Sequence, residues 1–168
     1  MNTLSTNRLE FRTWTEDDLA FALKLWGDPE VMAFLGGALS REQIIVKLES
    51  EISSLQTHGI QYWPLFAKAD GSFIGCCGLK LWTYSNHGSH ELGFHLVKES
   101  WGKGYAPEAS FAVIEFAKNL GVKHLRAGHH PHNLSSKKVL EKLGFEFFET
   151  KFFPPTGLMH PSYCLTLR

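Results

Sequence analysis

The sequence predicts an α+β fold on one mixed sheet, and three observations carry that prediction. Strand-like stretches recur from residue 61 to residue 97 with only brief turn sequences between them, which reads as an antiparallel meander. Stretches with apolar residues three and four apart, the mark of helices, stand before and after this strand-rich middle. A glycine-punctuated loop, Glu99-Ser100-Trp101-Gly102-Lys103-Gly104-Tyr105-Ala106-Pro107-Glu108-Ala109, runs out of the last of these strands and straight into a helix pattern.

Taken in order, Arg8 to Thr13 alternates Leu9 and Phe11 with polar neighbours and forms the first strand. Thr15, followed by Glu16-Asp17-Asp18, is an N-cap with acid in the first turn; Leu19, Ala22, Leu23 and Trp26 then repeat at helical spacing until Asp28-Pro29. A second helix opens at Ser40, carries Ile44, Ile45, Leu48, Ile52 and Leu55 on one side, and ends near His58. Gly36-Gly37 forms the loop between the two helices, near the expected substrate cleft. Three strands follow, Gln61 to Ala69, Ser72 to Trp82 and His90 to Val97, joined by Asp70-Gly71 and by residues 84–89. Beyond the glycine loop, Ala109, Ala112, Val113, Phe116, Ala117 and Leu120 define a helix that Gly121 closes. A strand from Lys123 to Gly128, a helix from Ser135 or Ser136 to Gly144, and strands near Phe145 to Phe152 and Tyr163 to Leu167 complete the chain.

A chain of 168 residues is long enough for one domain and short for two, so residues 1–168 are expected to form a single domain. With 17 basic and 17 acidic residues, nothing points to nucleic acid as a partner. There is no apolar run of membrane-spanning length and no leader pattern at Met1 to Ser5, so we expect no membrane association and a cytoplasmic location. A monomer and a homodimer are both compatible with the sequence, which does not choose between them. The three cysteines, Cys76, Cys77 and Cys164, read as free thiols, since adjacent Cys76 and Cys77 cannot bridge without strain. His129, His130 and His132 cluster, but no Cys or carboxylate stands at zinc-like spacing, and no metal is expected.

Gly102 and Gly104 let the backbone turn tightly and present several N–H groups on one concave side, and the following helix adds the positive end of its dipole. That is an anion cradle suited to a phosphate-bearing cofactor. The Walker pattern is absent, and Pro107 stands where a dinucleotide fingerprint needs glycine; there it fits the first helical turn. Trp101, Gly102, Lys103, Gly104, Tyr105 and Ala106 resemble the acyl-CoA loop (Q/R-x-x-G-x-G/A) of the Gcn5-related N-acetyltransferase superfamily, departing at Trp101, where Gln or Arg is usual. The loop, with Arg8 to Arg12, Asn133 to Ser136, Lys142 to Phe145 and Gly157 to Tyr163, is similar to the branch of ribosomal-protein alanine and serine N-acetyltransferases. The resemblance implies that superfamily's fold, a mostly antiparallel sheet of about seven strands flanked by about four helices. It also implies an enzyme transferring acetyl from acetyl-CoA to a primary amine, a protein N-terminus or a small molecule. The competing reading is a non-catalytic acyl-CoA sensor or interaction module.

Such a transfer needs a deprotonated amine, a stabilised oxyanion and a leaving thiolate that is held or protonated. On the strand Glu91 to Val97, residues Glu91, Gly93, His95 and Val97 share a face while Leu92, Phe94 and Leu96 take the core side; Gly93 leaves a gap between two ionisable groups. Glu91 is the first candidate base, direct or through water, unless it is an ordinary paired strand carboxylate; His95 is the second. The resemblance implies a backbone N–H donor for the oxyanion around Leu96 or Val97. Leu140 occupies the position where many relatives carry a tyrosine acid, which leaves Ser136, or Asn133 with a water, to stabilise the thiolate. Ser136 also reads as a plain helix N-cap, and Asn133 as a cap or cofactor-orienting residue. Lys103 supplies charge in the cradle. Lys138, with Lys137, either reaches the 3′-phosphate of coenzyme A or covers a solvated helix face.

Overall fold

A computed structural model describes residues 4–82 and 90–168. Seven strands form one sheet: β1 (Leu9–Phe11), β2 (Tyr62–Ala67), β3 (Phe73–Leu81), β4 (His90–Leu96), β5 (His124–Gly128), β6 (Glu146–Phe153) and β7 (Leu158–Thr166), in the order β1-β2-β3-β4-β5-β7-β6. Four helices accompany them: α1 (Leu19–Trp26), α2 (Arg41–His58), α3 (Tyr105–Asn119) and α4 (Leu134–Lys142). All pairings are antiparallel except β4 with β5.

Both faces of the sheet are buried, which the single core face read from β4 does not convey. Leu92 packs with Ala109, Val113 and Ala117 of α3 and Leu140 of α4. On the opposite face Ala22, Leu25 and Trp26 of α1 and Ile44 and Leu48 of α2 cover Tyr62, Cys76 and Val97. The alternation along β4 therefore holds, but its polar side looks into a second helical layer.

Several boundaries move for local reasons. Thr15 does not cap α1: its N–H and hydroxyl both donate to Asp18, closing a 3₁₀ turn (Glu16–Asp18) ahead of the helix. At α4 the cap is Asn133, whose Oδ1 accepts the N–H of Ser136 at 3.1 Å, so the helix starts at Leu134 and Ser136 is the residue capped, not the cap. β7 begins at Leu158, five residues earlier than the alternation suggested, because it pairs with β6 across a tight turn at residues 154–157. Residues 84–89, expected to join the second and third strands of the meander, lie outside the described residues.

Candidate active site

The site is built where β4 and β5 part. Their ladder consists of His90 with Leu125 and Glu91 with Arg126, after which the strands splay and leave Leu92 to Leu96 unpaired on that side. On the other side β4 is fully paired with β3, and the Val97 N–H donates to the Ile74 carbonyl at 3.1 Å. That bond fixes the alternation: His95 and Val97 turn their backbone groups to β3, and Leu96 turns its own into the splay. Of the two expected oxyanion donors, then, Val97 is spoken for and Leu96 faces the cleft.

The glycine loop lies at the end of β4. Gly102 (φ 71) and Gly104 (φ 79) both adopt the left-handed conformation, and Gly104 sits at the N-cap of α3. No described group accepts from the N–H groups of Gly102, Lys103, Gly104, Tyr105 or Ala106. Five backbone donors at the positive end of a fifteen-residue helix make an anion-binding cradle. The Trp101 indole donates to the Leu96 carbonyl at 2.9 Å, so the residue that departs from the family pattern pins the loop to the cleft strand.

Arg8 supports the loop from behind. Its Nε donates to Glu108 at 2.6 Å, its Nη1 to the Lys103 carbonyl at 3.0 Å, and its guanidinium lies over the Tyr105 ring. Burial alone would push the Glu108 carboxyl up, but hydrogen bonds from Thr6 and Arg8 outweigh it and hold its pKa below the ordinary value. Lys103 and Lys138 are both exposed, and Lys137 faces Glu141 at 3.8 Å.

On the β4 face the gap over Gly93 is filled. A Cβ at Gly93 would lie 2.2 Å from the hydroxyl of Tyr62, whose phenol thus stands between Glu91 and His95. His95 accepts from the Trp26 indole N–H through Nδ1 at 3.2 Å, and burial with nearby Lys47 and Lys80 lowers its pKa to about 3. It is a neutral acceptor in a packed wall, poorly suited to proton abstraction. Glu91 behaves oppositely: burial raises its pKa, only partly countered by Lys80, Lys151 and Lys47, and no described cation comes within ion-pair distance. The ordinary paired-carboxylate reading does not describe it.

The ion pair goes instead to Glu51 of α2, which is 3 % exposed. Its carboxylate accepts the Tyr62 N–H at 2.8 Å and faces Lys80 at 3.4 Å and Lys47 at 3.8 Å. Lys47 also lies over the Trp26 ring, and burial, chiefly, lowers its pKa to about 8. The sequence reading missed Glu51; the available signal was its place on the Ile44–Leu48 stripe, where helical spacing sends a carboxylate inward.

The far wall forms where the α1–α2 loop meets the β6–β7 turn: a Cβ at Gly36 would lie 2.8 Å from Pro155. Phe34, His130, His160 and Phe153 form a chain of ring contacts there, edge-on between the two histidines. Tyr163 is buried against His129, 3.2 Å from its Nε2. Among the described residues no group of His, Cys, Asp and Glu is arranged to hold a metal. Two of the three thiols are buried and held protonated, burial pushing Cys77 up to about 12 and raising Cys76 further; Cys164 is partly buried and unbridged. Leu140, at the usual tyrosine position, is 1 % exposed in the α3–α4 core and carries no proton donor to the cleft.

The family model described as acetyltransferase (GNAT) domain matches residues 8–146, a span that takes in the cleft strand, the cradle and α4. The chain belongs to the GNAT acetyltransferase family. This GNAT chain is 28 % identical over 151 residues to the uncharacterized N-acetyltransferase p20 of Bacillus licheniformis, covering 87 % of this chain and 83 % of the relative. Its fold matches an acetyltransferase from Agrobacterium tumefaciens with a TM-score of 0.85 at 21 % identity, covering 99 % and 95 % of the two chains. It also matches the ribosomal L7/L12 alpha-N-protein acetyltransferase RimL in complex with coenzyme A, with a TM-score of 0.80 at 14 % identity over 99 % and 98 %. The seven-stranded sheet with four helices is thus the GNAT fold, and the chain is an acyltransferase. No helix among the described residues is long and apolar enough to cross a membrane.

Proposed function

We propose that this GNAT enzyme transfers acetyl from acetyl-CoA to a primary amine by direct attack in a ternary complex. The observation that carries the reading is the run of five unengaged N–H groups, Gly102 to Ala106, opening α3 beside the β4–β5 splay. This cradle fits the pyrophosphate of coenzyme A, and the splay fits an extended arm whose thioester ends near Leu96. The RimL structure holds coenzyme A on the same fold, which supports that placement.

In this mechanism Glu91 takes a proton from the amine, directly or through a water. The amine nitrogen attacks the thioester carbonyl, and the Leu96 N–H stabilises the oxyanion. The C–S bond then breaks, and the hydroxyl of Ser136 donates to the departing thiolate. Asn133, by capping α4, holds Ser136 in place. His95 takes no proton; its bond to Trp26 keeps the wall beside Glu91 closed.

That RimL is a ribosomal L7/L12 alpha-N-protein acetyltransferase supports an N-terminal peptide as acceptor, and a small amine is the alternative. A thiol-release assay with acetyl-CoA separates them by comparing N-terminal peptides with polyamines and aminoglycosides. Turnover with one acceptor class supports the proposal. Acetyl-CoA binding without turnover on any of them would make the chain a sensor.

A further inference from the structure

We infer that β6 pairs antiparallel with β6 of a second copy of this chain, about a two-fold axis at Thr150. β6 is the outer strand of the sheet and runs eight residues, against three for the opposite edge strand β1. Its flanks are apolar and open: Phe147, Phe148 and Phe152 are 61 %, 53 % and 56 % exposed. A long edge strand with exposed phenyl rings is a template for another chain.

The backbone directions fix which residues can take part. The His129 N–H donates to the Pro161 carbonyl, so Pro161 turns its backbone to β5. Its neighbour on the other side is Thr150, which therefore turns N–H and C=O away from β7, toward the free edge; Phe152 does the same. Glu149 and Lys151 spend their backbone groups on β7.

Charge then selects one register. An axis at Thr150 joins Thr150 to its own copy by two hydrogen bonds and sets Glu149 opposite Lys151 twice, once on each side. An axis at Lys151 sets two lysines face to face, and one at Glu149 sets two glutamates. An axis at Phe152 opposes Thr150 to Pro154, which has no N–H. The Lys151 ammonium lies over the Trp82 ring.

Sedimentation equilibrium of the full chain tests the pairing. The wild type is expected to dimerise; Glu149→Lys or Lys151→Glu alone is expected to weaken the dimer about tenfold or more, since each puts two like-charge pairs across the axis. The double reversal is expected to recover most of the loss. Thr150→Pro removes an N–H that serves no bond among the described residues, so it should give a folded monomer even if a reversal fails to fold, with far-UV circular dichroism as the check. A chain monomeric at every soluble concentration overturns the inference. So does a dimer whose constant is unchanged by the reversals and by Thr150→Pro.

Discussion

Replacing Gly93 by alanine would test the packing that isolates Glu91 from His95. The new methyl carbon would lie 2.2 Å from the Tyr62 hydroxyl oxygen, 2.5 Å from Cζ and 2.9 Å from Cε2. The phenol has little room to retreat. Tyr62 is 5 % exposed, its N–H is held by Glu51 at 2.8 Å, its carbonyl accepts from the Trp14 indole at 2.6 Å, and Lys80 lies over its ring. Overpacking a filled core costs about 1–3 kcal/mol. Moving Tyr62 far enough to weaken the buried Glu51 bond adds roughly 1 kcal/mol or more. The expected loss is about 2–4 kcal/mol, or roughly 4–16 °C in Tm for a domain of this size. Urea unfolding followed by fluorescence should show the midpoint falling with the slope unchanged. Tyr62→Leu in the same background should relieve the clash, so that the double variant loses less than the sum of the singles by about 1 kcal/mol. A Gly93→Ala protein within about 0.5 kcal/mol of wild type, or an additive cycle, would refute the packing argument.

Four further outcomes follow. Asn133→Ala should lose about 1 kcal/mol of stability in urea unfolding through the missing cap, whereas Ser136→Ala should keep stability and lose turnover; equal stability losses would return the cap to Ser136. Arg8→Ala should raise KM for acetyl-CoA severalfold with a smaller effect on kcat, because it loosens the cradle and leaves Glu91 alone. His95 binds a proton more weakly folded than unfolded, so its contribution to stability is full above the unfolded pKa near 6.5 and is lost as pH falls toward about 3. Tm against pH should therefore slope less steeply across that window in His95→Gln than in wild type. The raised pKa of Glu91 works the other way: its contribution is present at low pH and is lost as pH rises through the folded pKa, so Glu91→Gln should melt higher than wild type at neutral pH.

Most of the fold was legible because the periodicities were local. The meander of β2, β3 and β4, the stripe on α3 and the glycine loop all read correctly from residues within a dozen positions of one another. What escaped depended on distant partners. The start of β7 is set by β6 and includes Pro161, a residue that sequence reasoning keeps out of strands unless its missing N–H is known to cost no bond. The clamp of Arg8 on Glu108 joins residues 100 positions apart, and no spacing rule reaches that far. At the site, alternation placed Glu91, Gly93 and His95 on one face, but not Tyr62 in the gap, Trp26 on the histidine or Glu51 drawing off Lys80. Those neighbours distinguish the two base candidates: they make His95 a neutral acceptor, while Glu91 is half-buried with no ion pair among the described residues. The N-cap at α4 was a choice between two good capping residues three apart, which only backbone geometry resolves.

The most direct test of the central claim, that Glu91 is the base of an acetyl-CoA-dependent transfer, measures two quantities on Glu91→Gln with an acceptor that the wild type turns over. These are the rate of thiol release at neutral pH and the affinity for acetyl-CoA by calorimetry. The expected result is a fall in kcat of roughly 10²-fold or more with acetyl-CoA affinity essentially unchanged. The wild-type rate should rise with pH through a pKa above the ordinary carboxylate value, a limb the variant lacks. A variant that keeps the wild-type kcat and pH profile would contradict the account.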